Sequence, residues 1–223
     1  MSDYSRQKDI FDVEKFNLPV HVIGAGATGS WVALLLAKLG VKDIHAWDFD
    51  IVAEHNLPNQ FFALNDIGNT KVTALQHEVL KVCDVCITPH NMRVDGKQRL
   101  SGIVFMLTDT MKSRKEIYEK AVKLKVGVKL LIETRMGLSE GRIYTINPMD
   151  MTETSEYEKT FYGDDEAHVS ACGTSQSIIT TAMSIASMAV RQMINYINNK
   201  PLNHELLIDF ENNAIYNRKY EVS

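Results

Sequence analysis

A chain of 223 residues in which 45% of positions are apolar can bury one sizeable α/β core and is short for two ordinary domains with a linker, so one domain over residues 1–223 is expected. Its formal net charge of −4 offers no basic face for duplex nucleic acid or an anionic membrane, and no apolar run approaches the roughly 20 residues of a membrane span. The stretch Met1 to Lys15 is too polar for a signal peptide, and Cys83, Cys86 and Cys172 have no framework spacing, so we expect a soluble, cytoplasmic protein with reduced thiols.

Residues 1–17 are mixed and charged, with Ile10, Phe11, Val13 and Phe16 as apolar anchors, and read as an arm covering one face of the domain. The β-branched run Val20 to Ile23 predicts a strand, and it ends in Gly24-x-Gly26-x-x-Gly29 ahead of a helical pattern that reaches Leu39, with Gly40 placed to end it. That order is what a phosphate-binding strand, turn and helix needs. Gly24 permits the tight turn, Gly26 lets an anion approach main-chain N–H groups, and Gly29 lets helix and strand pack closely, while the unpaired donors of a helix N-terminus favour negative charge.

A second strand, Ile44 to Trp47, closes on Asp48-Phe49-Asp50. An acid at the end of the second strand is where a ribose hydroxyl is usually held, and two carboxylates here allow one for the ribose and one to orient the loop. Next come Glu54-His55-Asn56-Leu57-Pro58-Asn59-Gln60, running into Phe61 and Phe62, and then Asp66-x-Gly68-x-x-Lys71, which opens a helix with Val72, Leu75, Val79 and Leu80 on one face. Cys83 and Cys86 form one Cys-x-x-Cys entering a third strand, without a second pair to complete four zinc ligands.

Gly102 to Leu107 predicts a buried strand, Lys112 to Lys125 a charged amphipathic helix, and Lys129 to Thr134 with Arg142 to Ile146 a hairpin across a Gly-rich turn. Asn147 to Ser170 is acidic with interspersed aromatics and reads as a loop, either solvated or functional. Gly173 to Asn198 predicts a long helix, buried or at a subunit interface, whose Met183, Met188 and Met193 fill core space. Leu206 to Phe210 and Ala214 to Tyr220 suggest a last hairpin. The fold class is α/β, Rossmann-like, with a sheet of about seven or eight strands, parallel at first and mixed later, flanked by helices.

Taken together, Gly-x-Gly-x-x-Gly, Asp48-x-Asp50, Asn56-Leu57-x-x-Gln60 and Asp66-x-Gly68-x-x-Lys71, in this order and at this spacing, resemble the ThiF/MoeB/HesA adenylyltransferases, which share a fold with the adenylation domain of ubiquitin-activating enzymes. Tyr4-Ser5-Arg6-Gln7 is similar to that family's N-terminal Tyr-x-Arg-Gln, Thr108-Asp109 followed by Arg114 to its Thr-Asp-Asn segment, and Cys172 falls where many members keep a cysteine. The resemblance implies a site for ATP and Mg²⁺ that activates the C-terminal carboxylate of a ubiquitin-like or sulfur-carrier protein as an acyl-adenylate. It implies Gly24, Gly26 and Gly29 at the phosphates, Asp50 with Asp48 behind it at the ribose, and Asn56, Gln60 and Lys71 along the triphosphate. Asp109 would bind magnesium, and Arg6 would reach the γ-phosphate of the neighbouring subunit in a homodimer. Residues 147–171 would be a crossover loop over the carrier's tail, and Cys172 is either a thiol able to take the acyl group, its pKa lowered at a helix N-terminus, or a buried cysteine packed beside the nucleotide.

The chain departs from the family pattern in three places, one being the absence of the paired Cys-x-x-Cys zinc motifs of many members. Asn59 stands where the family has a phosphate-binding arginine, a lost contact worth about 1.5–3 kcal/mol unless another cation substitutes. Thr110 replaces the asparagine after the magnesium aspartate. Two alternatives therefore stay open: a nucleotide-binding, partner-binding module that has lost adenylation, and an NAD-dependent oxidoreductase, since the same glycines and acid serve NAD.

Overall fold

Two unbroken buried runs, Val20–Ile23 and Gly102–Met106, lie at the centre of the parallel half of the sheet, as strands covered on both faces require. The computed structural model describes residues 2–163 and 177–220. Its strands are β1 Val20–Ile23, β2 Ile44–Trp47, β3 Thr88–His90, β4 Gly102–Met106, β5 Val128–Met136, β6 Glu140–Ile146, β7 Glu205–Asp209 and β8 Ala214–Arg218. They form one sheet in the order β3-β2-β1-β4-β5-β6-β7-β8. Pairing is parallel from β3 through β5 and antiparallel from β5 to β8. The expected parallel-then-mixed sheet is thus observed, and the chain reverses its direction of sheet growth between β1 and β4.

The α-helices are α1 Ala27–Lys38, α2 Lys71–Val82, α3 Met111–Ile117, α4 Met151–Glu158 and α5 Ile179–Ile197. Because successive strand residues face opposite sides, two cores result. Val20, Val22, Phe105 and Ile132 pack with Leu36 of α1, Leu75 of α2 and Ile185, Ala189 and Met193 of α5. Ile23, Val104, Met106 and Leu131 pack with Ile117 of α3 and Tyr157 of α4. No helix among the described residues is long and apolar enough to cross a membrane.

Four expectations need correction. The helix expected from Lys112 to Lys125 ends as α3 at Ile117 and continues as a wider π turn, Tyr118–Val122, with the Tyr118 ring buried edge-on against Tyr157 and Phe161. The acidic stretch read as a loop from Asn147 contains α4. Asp150 caps it, its Oδ1 accepting from Thr152 N at 2.8 Å and Glu153 N at 3.0 Å, and Tyr157 is fully buried. The Asp-x-x-Glu start of that helix was legible, and the count of acids obscured it. The long helix expected from Gly173 begins, in its described part, at Ile179, with Ile178 still extended. Of its methionines Met193 is core, Met188 packs against the core and Met183 is 43% exposed, so Met183 fills no core space.

The N-terminal arm docks at the far end of α1. Gln7 Nε2 donates to Leu39 O at 2.7 Å, a Cβ at Gly40 would lie 2.6 Å from the Tyr4 ring, Phe11 is buried, and Asn198 Nδ2 donates to Ile10 O at 2.6 Å.

Three histidines line up across β1, β2 and β3. The rings of His21 and His45 stack at 4.8 Å and those of Trp47 and His90 at 3.7 Å, while Trp47 Nε1 donates to His21 Nδ1 at 3.2 Å. Burial first, then the neighbouring His45, pushes the His21 pKa from 6.5 down to about 4. The unfolded chain therefore binds a proton at His21 below pH 6.5 that the folded chain refuses until about pH 4. Stability present above pH 6.5 is lost as pH falls through that window, about 2 kcal/mol of it by pH 5. Urea unfolding at pH 7.5 and pH 5 should show this loss in the native protein and a smaller one in His21→Gln; equal losses would contradict the assignment.

Candidate functional site

The turn after β1 is built by exclusion of side chains. Gly24 has φ +95°, and a Cβ there would lie 2.7 Å from Leu107 O; one on Gly29 would lie 1.8 Å from Gly24 O, so α1 starts in contact with the turn. Gly26 is the N-cap of α1, and a Cβ on it would meet nothing within 4 Å. The first and third glycines are therefore packing requirements, and the second faces open space at a helix N-terminus, where donors and dipole favour an anion.

Asp48 braces this turn: its Oδ2 accepts from Ala25 N at 2.7 Å and its Oδ1 from Asp50 N at 2.8 Å. Asp50 is half exposed and pairs with Lys71, whose Nζ lies 2.8 Å from Asp50 Oδ2 and whose main-chain N donates to Asp50 O at 2.9 Å. Lys71 is buried at the first residue of α2, so an otherwise polar turn carries a fixed cation beside the glycines.

The 50s loop supplies amides. Asn56 is buried and its Oδ1 caps a short 3-10 turn by accepting from Ala53 N at 2.9 Å. Asn59 is held twice, Trp31 Nε1 donating to its main-chain O at 3.0 Å and its Nδ2 donating to Ser177 Oγ at 2.6 Å. After β4, Thr108 and Asp109 enter the turn before α3, with Asp109 exposed. Thr110 caps α3, its Oγ1 accepting from Ser113 N at 3.2 Å, which explains why a threonine serves at that position.

A cavity of about 950 Å³ opens where these pieces meet, above the carboxyl ends of β1 and β4, at the upper end of the range for ligand pockets and at the point where the strand order reverses. Gly24, Gly26, Asp48, Asp50, Asn56, Gln60, Lys71 and Asp109 all line it. Trp47, Phe49, Met92 and Val94 give it an apolar end, with the Arg93 guanidinium 5.0 Å over the Phe49 ring. Asn59 Oδ1, Gln60 Oε1, Thr108 Oγ1 and Arg114 Nε are buried at its wall without a partner among the described residues. Orphaned polar atoms of this kind fit a polar, hydrogen-bonding occupant.

Of the remaining sequence-predicted residues, Gly29 packs on the turn without lining the cavity, and Arg6 does not line it. Arg6 lies on the arm at the other end of α1, a helix of 12 residues and hence about 18 Å long. Cys172 falls outside the described residues. The sequence reading missed Glu133 and Arg135, which are buried behind the cavity, Glu133 pairing with both Arg114 and Arg135. Two opposite charges spaced i, i+2 in an apolar strand point to the same side, and that signal was available.

A model of the ThiF family matches residues 5–221. tRNA threonylcarbamoyladenosine dehydratase 2 of Saccharomyces cerevisiae is 39% identical over 82 residues, 35% of this chain and 18% of that protein. Ubiquitin-like modifier-activating enzyme 5 of Caenorhabditis elegans is 34% identical over 76 residues, 34% of this chain and 18% of that protein. The matched part thus spans about a fifth of these curated relatives. Among solved structures, E. coli MccB with MccA superposes with a TM-score of 0.76 at 16% identity, covering 100% of this chain and 73% of that one. MccB with ATP gives 0.69 at 16%, covering 93% and 64%, and PaaA 0.68 at 16%, covering 91% and 64%. At these identities the structural likeness shows the fold.

Proposed function

This chain belongs to the ThiF family, and from that premise we propose that residues 1–223 act as one adenylation domain that activates a protein carboxylate with ATP. The observation that carries the reading is that one cavity joins the open Gly26 turn to a buried cation, Lys71, and an acid, Asp109, which hydride transfer to NAD does not need. MccB, which has this fold, was solved with ATP, and one relative is named for activating a ubiquitin-like modifier. The substrate class we propose is accordingly the C-terminal carboxylate of a ubiquitin-like or sulfur-carrier protein.

In this reading a carboxylate oxygen attacks the α-phosphorus, the α–β bridging P–O bond breaks, and pyrophosphate leaves. Negative charge spreads over phosphoryl oxygens, and the chain's contribution is fixed positive potential with little proton transfer. The main-chain N–H groups around Gly26 and the Lys71 ammonium supply that potential, Asp50 and Asp48 hold the ribose end and the turn, and Asn56 and Gln60 supply amide contacts. Asp109 would hold Mg²⁺, whose charge neutralises the phosphates when bound. Cys172, outside the described residues, would accept the acyl group by thiolate attack on the adenylate carbonyl with AMP leaving.

Asn59 supports a second reading, a binding module without adenylation, because its amide nitrogen is spent on Ser177 and the family's cation is gone. Arg93 lines the cavity and is a cation placed to substitute, whereas Arg114 is held on Glu133 and the Thr108 carbonyl. ATP–pyrophosphate exchange separates the readings: carrier-dependent exchange supports the enzyme, ATP binding without exchange the module, and NAD binding in place of ATP the oxidoreductase.

The arm's position supports service to a neighbouring subunit, since Arg6 is a helix length from its own glycine turn. In a homodimer, Arg6→Ala mixed with Lys71→Ala should recover roughly a quarter of native exchange activity, because half the dimers are hybrid with one complete site each. No recovery after subunit mixing would place Arg6 outside the partner's site.

A further inference from the structure

Behind the cavity, three ionised side chains are buried together. Glu133 of β5 is 0% exposed, Arg114 7% and Arg135 8%. Arg135 grips the carboxylate as a fork, Nε donating to Oε1 at 2.9 Å and Nη2 to Oε2 at 2.9 Å. Arg114 Nη1 also donates to Oε1, and Tyr157 OH donates to Oε2 at 2.8 Å. Burial pushes the Glu133 carboxyl up, and the two guanidinium groups more than reverse this, holding it below the usual carboxylate range.

Beyond the carboxylate the two arginines diverge. Arg114 donates through Nη1 to Thr134 O at 2.7 Å and through Nη2 to Thr108 O, directly before Asp109. Arg135 donates through Nη1 to Thr160 O at 2.7 Å and through Nη2 to Thr160 Oγ1 at 2.9 Å, with its plane 4.3 Å over the Tyr144 ring. One arginine thus reaches the cavity turn, and the other the turn that follows α4. Burying such a triad costs several kcal/mol per ion, and apolar packing of similar volume usually stabilises a fold as well or better. Stability alone therefore gives a weak account of it, whereas a buried hydrogen-bonded network fixes relative geometry.

We propose that Glu133 is a positioning residue, the common anchor that sets the Thr108–Asp109 turn and the Thr160 turn in one register through Arg114 and Arg135. Its catalytic consequence rests on the adenylylation reading: the acid at the cavity is held in place by a carboxylate that does not line it.

Amide hydrogen–deuterium exchange tests the anchor without any assay of activity. In Glu133→Gln, exchange should accelerate about tenfold in both residues 107–114 and residues 158–163, with β1 and α1 unchanged. Arg135→Lys keeps the charge and gives up the fork, so it should accelerate only 158–163; this milder variant also serves if Glu133→Gln does not fold. In carrier-dependent exchange of pyrophosphate, Glu133→Gln should lower kcat about tenfold with KM for ATP within about threefold, since the glycine turn, Asp48 and Lys71 are untouched, while Arg135→Lys, which leaves the Asp109 turn in place, should keep kcat within about twofold. Acceleration by Glu133→Gln in one segment only, in neither, or uniformly through β1 and α1 would overturn the proposal, as would an unchanged kcat in Glu133→Gln or acceleration of residues 107–114 by Arg135→Lys. A native protein with no carrier-dependent activity would count against the adenylylation reading and leave deuterium exchange to decide the anchor.

Discussion

Gly29→Ala should abolish ATP binding and lower stability by about 3 kcal/mol or more. The added Cβ would stand 1.8 Å from Gly24 O and 2.8 Å from Gly24 C, distances that no rotamer choice relieves, because a Cβ has none. Gly24 cannot retreat: its N donates to Trp47 O at 2.8 Å, and its own Cβ position is already filled by Leu107 O. Either α1 shifts off the sheet, exposing Val32, Ala33 and Leu36, or the turn opens and the brace from Asp48 to Ala25 breaks. Gly26→Ala is the control. Its Cβ meets nothing within 4 Å, so the melting temperature should hold while a methyl group occupies the approach to the helix N-terminus and weakens ATP binding. Calorimetric titration with ATP·Mg²⁺ beside thermal melts checks both; a Gly29→Ala protein that melts and binds like the native one would contradict the packing account.

Asp109→Ala should leave the fold intact and lower carrier-dependent pyrophosphate exchange on the order of 10²–10³-fold. Asp109 is exposed, and the cap of α3 is made by Thr110, so stability has little to lose. Its carboxylate is the exposed acid on the turn between β4 and α3, where a divalent cation would meet the phosphates. Retained exchange in the variant would remove this residue from the metal's coordination.

The parallel half of the fold was legible because its signals are local and agree: β-branched runs such as Val20 to Ile23 and Gly102 to Met106, glycines at the turn, and Gly40 closing α1. Gly24, Gly26, Asp48 and Asp50 of the cavity lining were legible through spacing, and Asn56, Gln60, Lys71 and Asp109 through the family resemblance; the structure adds what several of these groups are doing. Asp48 proves to be a brace for the glycine turn, Asp50 a partner of Lys71, and Asn59 a tie to Ser177. What sequence could not yield depends on contacts between distant segments. The Glu133 network joins β5, α3 and the turn after α4, and no periodicity announces a partner 19 or 25 residues away. The position of Arg6 relative to its own site likewise became readable only when the arm was seen on Leu39 and Gly40.

The most direct test of carboxylate activation is intact-mass spectrometry of a purified ubiquitin-like or sulfur-carrier protein after incubation with this protein and ATP·Mg²⁺. The account predicts a carrier heavier by one adenylyl group, formed with release of pyrophosphate and absent when the carrier's terminal carboxylate is amidated. ATP bound in the cavity with every such carrier of unchanged mass would contradict it.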